Sequence, residues 1–382
     1  MKDTFLLITT VPQSLNFYKG QVQVLKTKYH IEVASSPGQR LDTFGELEEV
    51  PIHQVPMKRE ISIFSDLVSL YRLFKLIKKV RPKVVHASTP KAGFLGMLAA
   101  FLNRTPVRIY FVLGLRYEGT KGFKRKFLMQ IERLSCKLAT DVFSVSKGTK
   151  KTLVEEGITS KDINIIWNGS INGIDTKQFD FNSTPAPTID QSLIPEGSFI
   201  FGYVGRLVGD KGTNELIDAF TQLHQIHPEI RLLLIGDFED VQDPVSDRTR
   251  VLIKNHPAIV YFGYQSNVKP FFKLMNVFVF PSYREGFGMV VMEAAAMEKP
   301  IICSDITGCN EIIIDGHSGI LIPPRSTEML LLAMKSLRNQ PELAEKLRTN
   351  ARESVKQRYE QHTLWKHTLD AYSKLTNSIS ES

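Results

Sequence analysis

The 382-residue chain has no apolar run long enough to cross a bilayer: the longest, Ala92–Leu102, falls well short of the roughly 20 residues a spanning helix needs. It has only three cysteines, Cys136, Cys303 and Cys309, whose spacing fits neither a disulfide framework nor a zinc site, so a reducing cytoplasm is the expected compartment. There is no P-loop, His-Glu-x-x-His helix or nucleophile elbow, and no Gly-x-Gly-x-x-Gly follows the first strand. These absences leave out the common NTPase, metalloprotease, hydrolase and dinucleotide redox sites. No Asp-x-Asp pair is present to hold a metal on a nucleotide diphosphate, so no metal and no cofactor are expected. No solenoid repeat occurs, and 24 glycines and 19 prolines are too ordinary for a low-complexity class. Met1–Pro12 carries one lysine, an acidic Asp3 and no small-residue cleavage site, and reads as a first buried strand rather than a signal peptide.

What is present is uneven charge. The net +8 divides into 28 Lys/Arg against 16 Asp/Glu over residues 1–180, and 20 against 24 over 181–382. A basic first half points to a polyanionic surface, an anionic membrane or nucleic acid, beside the plainer reading of a solvated basic face. Lys121, Lys124, Arg125 and Lys126 cluster around Gly122-Phe123. At about 1 kcal/mol each near an anionic leaflet they give roughly 4 kcal/mol, a dissociation constant of order 1 mM, which fits reversible peripheral contact. No nucleic-acid recognition motif accompanies them, so nucleic acid is not an expected partner.

Strand-like runs alternate with helical patterns along the chain. Phe5–Val11, Ile31–Ser35, Val84–Ala87, Val107–Leu113, Val142–Ser146 and Ile163–Trp167 read as strands, separated by helices such as Gln13–Lys28 and Phe64–Val80. In the latter, Leu67, Leu70, Tyr71, Leu73, Phe74 and Ile77 share one helical face, and Arg81-Pro82 stops the helix. Residues 176–198, with three prolines and scattered Ser, Thr and Asp, read as a linker. The alternation then restarts from Phe199. The expected fold is α/β, with two doubly wound Rossmann-like domains at 1–175 and 199–361, facing a central cleft, and residues 362–382 returning to the first domain.

The strongest motif is Glu285-Gly286-Phe287-Gly288 with Glu293, lying between the strand Asn276–Pro281 and a helix that starts at Met289. A strand, a glycine turn and a helix start present free amides and a dipole to an anion. Two carboxylates beside such a site call for a ligand that also carries hydroxyls, and a nucleotide-sugar has both. Gly205-Arg206 and Lys211-Gly212 follow the strand from Phe199 and add two cations suited to a diphosphate. Gly236 and Phe262-Gly263-Tyr264 end two further strands and are candidate edges for a flat base, with a plain strand end and turn as the alternative for each. In the first half, His86 ends a strand just before Ser88-Thr89-Pro90-Lys91, and Leu113-Gly114-Leu115-Arg116-Tyr117-Glu118 ends the next. His86 is a candidate catalytic group as well as an acceptor contact, with a structural role as the plainer reading. Lys91, Arg116 and Glu118 are candidate acceptor contacts, with a structural ion pair as the alternative for the last two.

On these residues the chain resembles a family-4 retaining glycosyltransferase of the GT-B architecture. Gly205-Arg206, Lys211-Gly212 and the paired Glu285 and Glu293 carry the match. Within that family it is most similar to the bacterial branch that builds capsular and O-antigen polysaccharide on lipid diphosphates, through Thr89-Pro90-Lys91-Ala92-Gly93, Gly114–Glu118 and Asn168–Asp175. The resemblance implies that Glu285 binds donor-sugar hydroxyls and Glu293 the ribose. It gives the amides of Phe287, Gly288 and Met289 the sugar and phosphates, and makes Arg206 and Lys211 stabilise the departing diphosphate without a metal. Where many relatives have Gly-Gly after the first strand, this chain has Val11-Pro12-Gln13-Ser14. The implied reaction is hexose or N-acetylhexosamine transfer from a UDP-sugar to a lipid-diphosphate-linked saccharide at the inner face of the plasma membrane. A nucleotide-sugar epimerase and a non-catalytic partner subunit are the alternatives.

Overall fold

The structure, a computed structural model, describes residues 2–60, 62–190, 192–239 and 243–380. It divides into two units, Met1–Gly173 with Gln361–Ser382, and Ile174–Glu360.

In the first unit, the described residues form strands β1 (Asp3–Ile8), β2 (Tyr29–Ser35), β3 (Ile52–Gln54), β4 (Val84–Ser88), β5 (Val107–Val112), β6 (Asp141–Ser144) and β7 (Ile163–Asn164). They lie in the order β3-β2-β1-β4-β5-β6-β7, and every pair is parallel. The second unit repeats the winding with β8 (Phe199–Val204), β9 (Ile230–Ile235), β10 (Ile259–Tyr261), β11 (Val277–Phe280), β12 (Ile301–Ser304) and β13 (Ile320–Ile322). Their order is β10-β9-β8-β11-β12-β13, again all parallel. In both sheets the order reverses beside the unit's first strand. That switch point, between β1 and β4 or between β8 and β11, is where an open α/β sheet accepts a ligand at its strand carboxyl ends. Both sheets are covered, so their strands are continuous apolar runs: Leu6, Ile8, Val33, Val84 and Ile109 are buried in one, Phe201, Leu232, Val279 and Ile302 in the other.

Local departures have physical causes. The expected helix Gln13–Lys28 is two pieces, a 3-10 turn Pro12–Tyr18 and a short helix Gln21–Leu25. Gly20 breaks it at φ +75°, and a side chain there would strike the Trp365 ring. The helix Ile63–Val80 ends as expected, with Arg81 in the left-handed region ahead of Pro82. Its buried face is narrower than its spacing suggests: Ser69, Leu73 and Ile77 are buried, Leu70 and Phe74 pack against the core, and Leu67 and Tyr71 are exposed. The stretch 176–198, read as a linker, belongs to the second unit. Arg352 binds Asp180 (3.1 Å), and Lys273 donates to the Thr184 carbonyl (2.7 Å).

Residues 361–380 form the helix Gln361–Ser380 of the first unit. Trp365 donates to Asn172 (2.7 Å), Tyr29 and Thr376 hydroxyls meet at 3.0 Å, and Tyr372 packs on Phe5, His86 and Phe143.

Candidate active site

The second unit gathers the donor candidates on one sheet edge. Gly205, Arg206 and Lys211 follow β8, Gly236 follows β9, Tyr264 follows β10, and Glu285 to Met289 follow β11. These four strands are neighbours, so their carboxyl ends form one continuous row.

At the switch point Lys211 Nζ meets Glu285 Oε1 at 2.5 Å, both side chains only 15% exposed. The pair is one rung of a clamp. On the adjacent rung, Arg284 Nη2 binds Asp210 Oδ2 (2.7 Å), while Tyr283 N and Ser282 Oγ donate to the Asp210 carbonyl (2.8 and 3.3 Å). Tyr283 also donates its hydroxyl to Glu215 (2.5 Å). Asp210-Lys211 thus pairs with Arg284-Glu285, residue against residue, and fixes the loop after β8 to the loop after β11. The sequence reading missed Asp210 and Arg284. Two dipeptides of opposite charge order, 74 residues apart and each just after a strand, were the available signal.

Arg206 is turned to Glu239, in an ion pair with about half of the arginine side chain exposed. Its carbonyl accepts from Tyr203 Oη (2.8 Å), which holds the loop through its backbone. Gly236 has φ +137°, and a Cβ there would lie 1.9 Å from the Gly205 carbonyl oxygen, so the loops after β8 and β9 touch only because this residue is glycine. Asp237, also missed, accepts from Tyr264 N (3.0 Å) and gives its carbonyl to Leu207 N (2.8 Å), joining three strand ends. Tyr264 is exposed.

The turn Gly286-Phe287-Gly288 enters the helix Met289–Ala296. Of the three amides expected to meet a ligand, that of Met289 is taken by the Phe287 carbonyl (2.9 Å), and that of Gly288 makes a long bond to Gly308 (3.4 Å). The Phe287 amide has no partner among the described residues, and its ring packs edge-on against Tyr359. Glu293 keeps partial exposure on the first turns of this helix, and desolvation by the surrounding protein pushes its carboxyl up to about 7. A carboxyl of that kind accepts hydrogen bonds when ionised and donates one when protonated.

The first unit arranges its candidates differently. His86 is not at the strand edge. It sits inside β4, opposite Leu7 and Ile109, 1% exposed and ringed by Phe5, Tyr18, Phe111 and Tyr372. Its Nε2 and the Tyr372 hydroxyl are 3.0 Å apart, and burial pushes its pKa down to about 3. It is a neutral core residue with no path to reacting atoms, which corrects its reading as a catalytic group and acceptor contact. Lys91 pairs with Asp66 (2.6 Å) and donates to the Glu60 carbonyl. Arg116 Nη1 donates to the Arg59 carbonyl (3.0 Å). These two candidates therefore meet neighbouring residues, Arg116 at Arg59 and Lys91 at Glu60 and Asp66; Glu118 is exposed on the turn beside them. At this unit's switch point Thr10 and Thr89 join hydroxyls (2.8 Å), and the Ala92 amide donates to Thr10 (3.0 Å). Thr89 holds φ +72°, a costly conformation for a β-branched residue.

Two parallel sheets wound in one order, with cations, carboxyls and free amide gathered on one edge, define a two-Rossmann GT-B protein. The Glycosyl transferase 4-like domain family matches residues 21–169, and the Glycosyl transferases group 1 family matches 187–354. The chain is 33% identical to the capsular polysaccharide biosynthesis glycosyltransferase CapM of Staphylococcus aureus, over 96% of each chain. It is 27% identical to the UDP-Gal:alpha-D-GlcNAc-diphosphoundecaprenol alpha-1,3-galactosyltransferase of Escherichia coli, over 72% of this chain and 71% of that one. Among solved structures, Anabaena HepE in complex with UDP and glucose matches at a TM-score of 0.78 and 18% identity, over 97% of this chain and 99% of HepE. The chain belongs to the family-4 GT-B glycosyltransferases, in the capsular polysaccharide branch.

Proposed function

We propose that this glycosyltransferase moves a hexose or N-acetylhexosamine from a UDP-sugar to a lipid-diphosphate-linked saccharide, with retention and without a metal or other cofactor. The observation that carries the reading is the Lys211–Glu285 pair at the β8/β11 switch point. Donor binding exchanges partners there: Lys211 turns to the diphosphate, and the freed Glu285 accepts from sugar hydroxyls. Arg206 leaves Glu239 for the same diphosphate, the Phe287 amide faces it from the helix start, and Glu293 takes the ribose. Gly236 and the Tyr264 loop border the base. In the reaction the bond from the anomeric carbon to the diphosphate oxygen breaks and the acceptor oxygen bonds to that carbon. The acceptor's proton passes to the departing phosphate, whose growing charge the two cations stabilise. The UDP of the HepE complex and the diphosphoundecaprenol of the Escherichia coli relative's name support the donor and acceptor classes.

The basic cluster of the first unit is the proposed contact with the anionic inner leaflet. Arg125 is bound to Glu156 (2.6 Å) and lies over Tyr117, which leaves Lys121, Lys124 and Lys126 exposed. Three lysines supply about 3 kcal/mol, weaker than millimolar on their own.

The test is nucleotide release from a panel of UDP-, GDP-, TDP- and ADP-sugars, with a lipid-diphosphate acceptor and with or without EDTA. Release from one UDP-sugar that survives EDTA, with an axial or equatorial product linkage matching the donor, supports the proposal. Interconversion of the sugar without release makes the protein an epimerase, and failure to bind any donor makes it a non-catalytic subunit.

A further inference from the structure

The helix Pro341–Tyr359 buries one stripe: Leu347, Ala351, Val355 and Tyr359 recur every four residues, and all are buried. It packs on the helix Met289–Ala296, which follows the Phe287 turn. Two of its residues reach beyond that contact. Tyr359, its last, meets the Phe287 ring edge-on with centroids 5.4 Å apart. The Tyr359 hydroxyl donates to the Glu311 carbonyl (2.7 Å), and the Tyr359 carbonyl accepts from Ile174 N (2.9 Å). Two turns earlier, Arg352 donates to the Ala296 carbonyl, where the shorter helix ends and its carbonyls have no helical partner. The same guanidinium holds the Thr176 carbonyl (3.3 Å), the Phe179 carbonyl (3.1 Å) and the Asp180 carboxylate (3.1 Å).

The turn and helix at the proposed diphosphate site are thus held at both ends by one neighbour. That neighbour also holds residues 174–180, where the chain enters the second unit, and Tyr359 stands one residue before the unit's last, Glu360. Thr176 Oγ1 donates to Glu360 (2.7 Å), so entry and exit are bonded to each other. On another side the turn has no room to move. Gly308 holds φ +82°, and a Cβ there would lie 2.8 Å from Phe287 Cα, so backbone already meets backbone. A close-packed interior passes a displacement on rather than absorbing it. The path left to Phe287 runs through its ring to Tyr359.

We infer that Tyr359 and Arg352 are positioning residues that couple the donor turn and helix to the two segments by which the chain enters and leaves the second unit. A diphosphate at the Phe287 amide is then felt at Ile174 and Thr176. Coupling of this kind is reciprocal, so loosening the far end must weaken the nucleotide. The inference rests on the UDP-sugar reading for its ligand, while the coupling rests on packing alone.

The test is hydrogen exchange of the full chain at the Ile174 amide, with and without UDP. Without ligand, Phe287→Leu is expected to speed exchange at Ile174 at least about fivefold. The Leu330 amide, bonded to Ser326 at another helix start of the same unit, is the control and stays as in the parent. UDP is expected to slow Ile174 at least about fivefold in the parent and not in Tyr359→Leu, with most of the slowing restored in Tyr359→Phe, which keeps the ring. In calorimetry, Arg352→Gln is expected to raise the Kd for UDP about fivefold. A purely structural arginine would lower the bound stoichiometry instead. Unchanged exchange at Ile174 in Phe287→Leu, or equal speeding at Leu330, overturns the inference. So does equal slowing by UDP in the parent and Tyr359→Leu, or a loss of stoichiometry alone in Arg352→Gln. A parent that binds no UDP overturns the donor reading, and the ligand-free comparison still supports or overturns the coupling.

Discussion

The two units wind the same sheet and latch the same pair of loops, but with opposite chemistry. In the first, Thr10 and Thr89 join hydroxyls beside a buried, neutral His86. In the second, Asp210-Lys211 and Arg284-Glu285 join charges. Hydroxyls hold a loop by short, fixed bonds. Ion pairs at a partly open edge hold it in a form that a charged ligand can take over, because the ligand's phosphate competes directly for the cation. The winding sets where a site lies, and the latch sets what it can hold.

The largest expected effect falls on the charged latch. Glu285→Gln and Lys211→Met should each lower kcat about 10²- to 10³-fold with an unchanged melt, the range seen when one group that stabilises developing charge is removed. Near-parental turnover would end the assigned roles. Gly236→Ala should destabilise by about 3 kcal/mol or more, since it strains a left-handed backbone and forces a methyl into Gly205; thermal unfolding checks it. Asp210→Asn leaves the reacting groups in place but loosens their loop. A loss of roughly tenfold in kcat/KM, partly restored in Asp210→Glu, would mark it as a positioning residue.

The comparison sharpens at two desolvated carboxyls. Glu132 accepts from Tyr110 (2.7 Å) in the first unit, Glu293 lies at the proposed ribose site, and burial pushes both up to about 7. For a carboxyl raised on folding, the native state binds more protons than the unfolded chain between about 4.5 and 7. Its contribution is therefore most favourable below that window and is lost as pH rises through it. Glu293→Gln should raise stability at pH 8 by roughly 1–3 kcal/mol and little at pH 4.5. UDP affinity of the parent should fall a few-fold as pH drops through 7, as the carboxylate gives up one acceptor position, and Glu293→Gln should flatten that slope. Glu132→Gln should leave it alone; titration calorimetry from pH 6 to 8 separates the two. The smallest effect on activity belongs to His86→Leu, which strands the Tyr372 hydroxyl and should cost about 1–2 kcal/mol of stability with no change in turnover per folded molecule.

The sequence was legible where an arrangement sits inside one short stretch. The strand Val277–Phe280, the turn through Gly286–Gly288 and the helix from Met289 follow one another in the order the residues predict. The alternation of strands and helices told the class of fold for the same reason. His86 misled because its partner Tyr372 lies 286 residues away, and the partners of Lys91 and Arg116, Asp66 and Arg59, at 25 and 57 residues, were just as invisible locally. Nothing local distinguishes a histidine that a distant helix will cover from one left open. Leu67 and Tyr71 misled in the reverse direction: helical spacing marks an apolar face but not what that face meets.

The chain passes between the units twice, after Gly173 and after Glu360, and Ile174 N donates to the Tyr359 carbonyl at 2.9 Å, so the two passages run side by side. This sets an order of birth on the ribosome. When residue 360 has emerged, the second unit has all its residues, while the first still lacks Tyr372 and Thr376 to cover Phe5, Tyr29 and Phe143. The half of the protein that is made first is the half that is finished last.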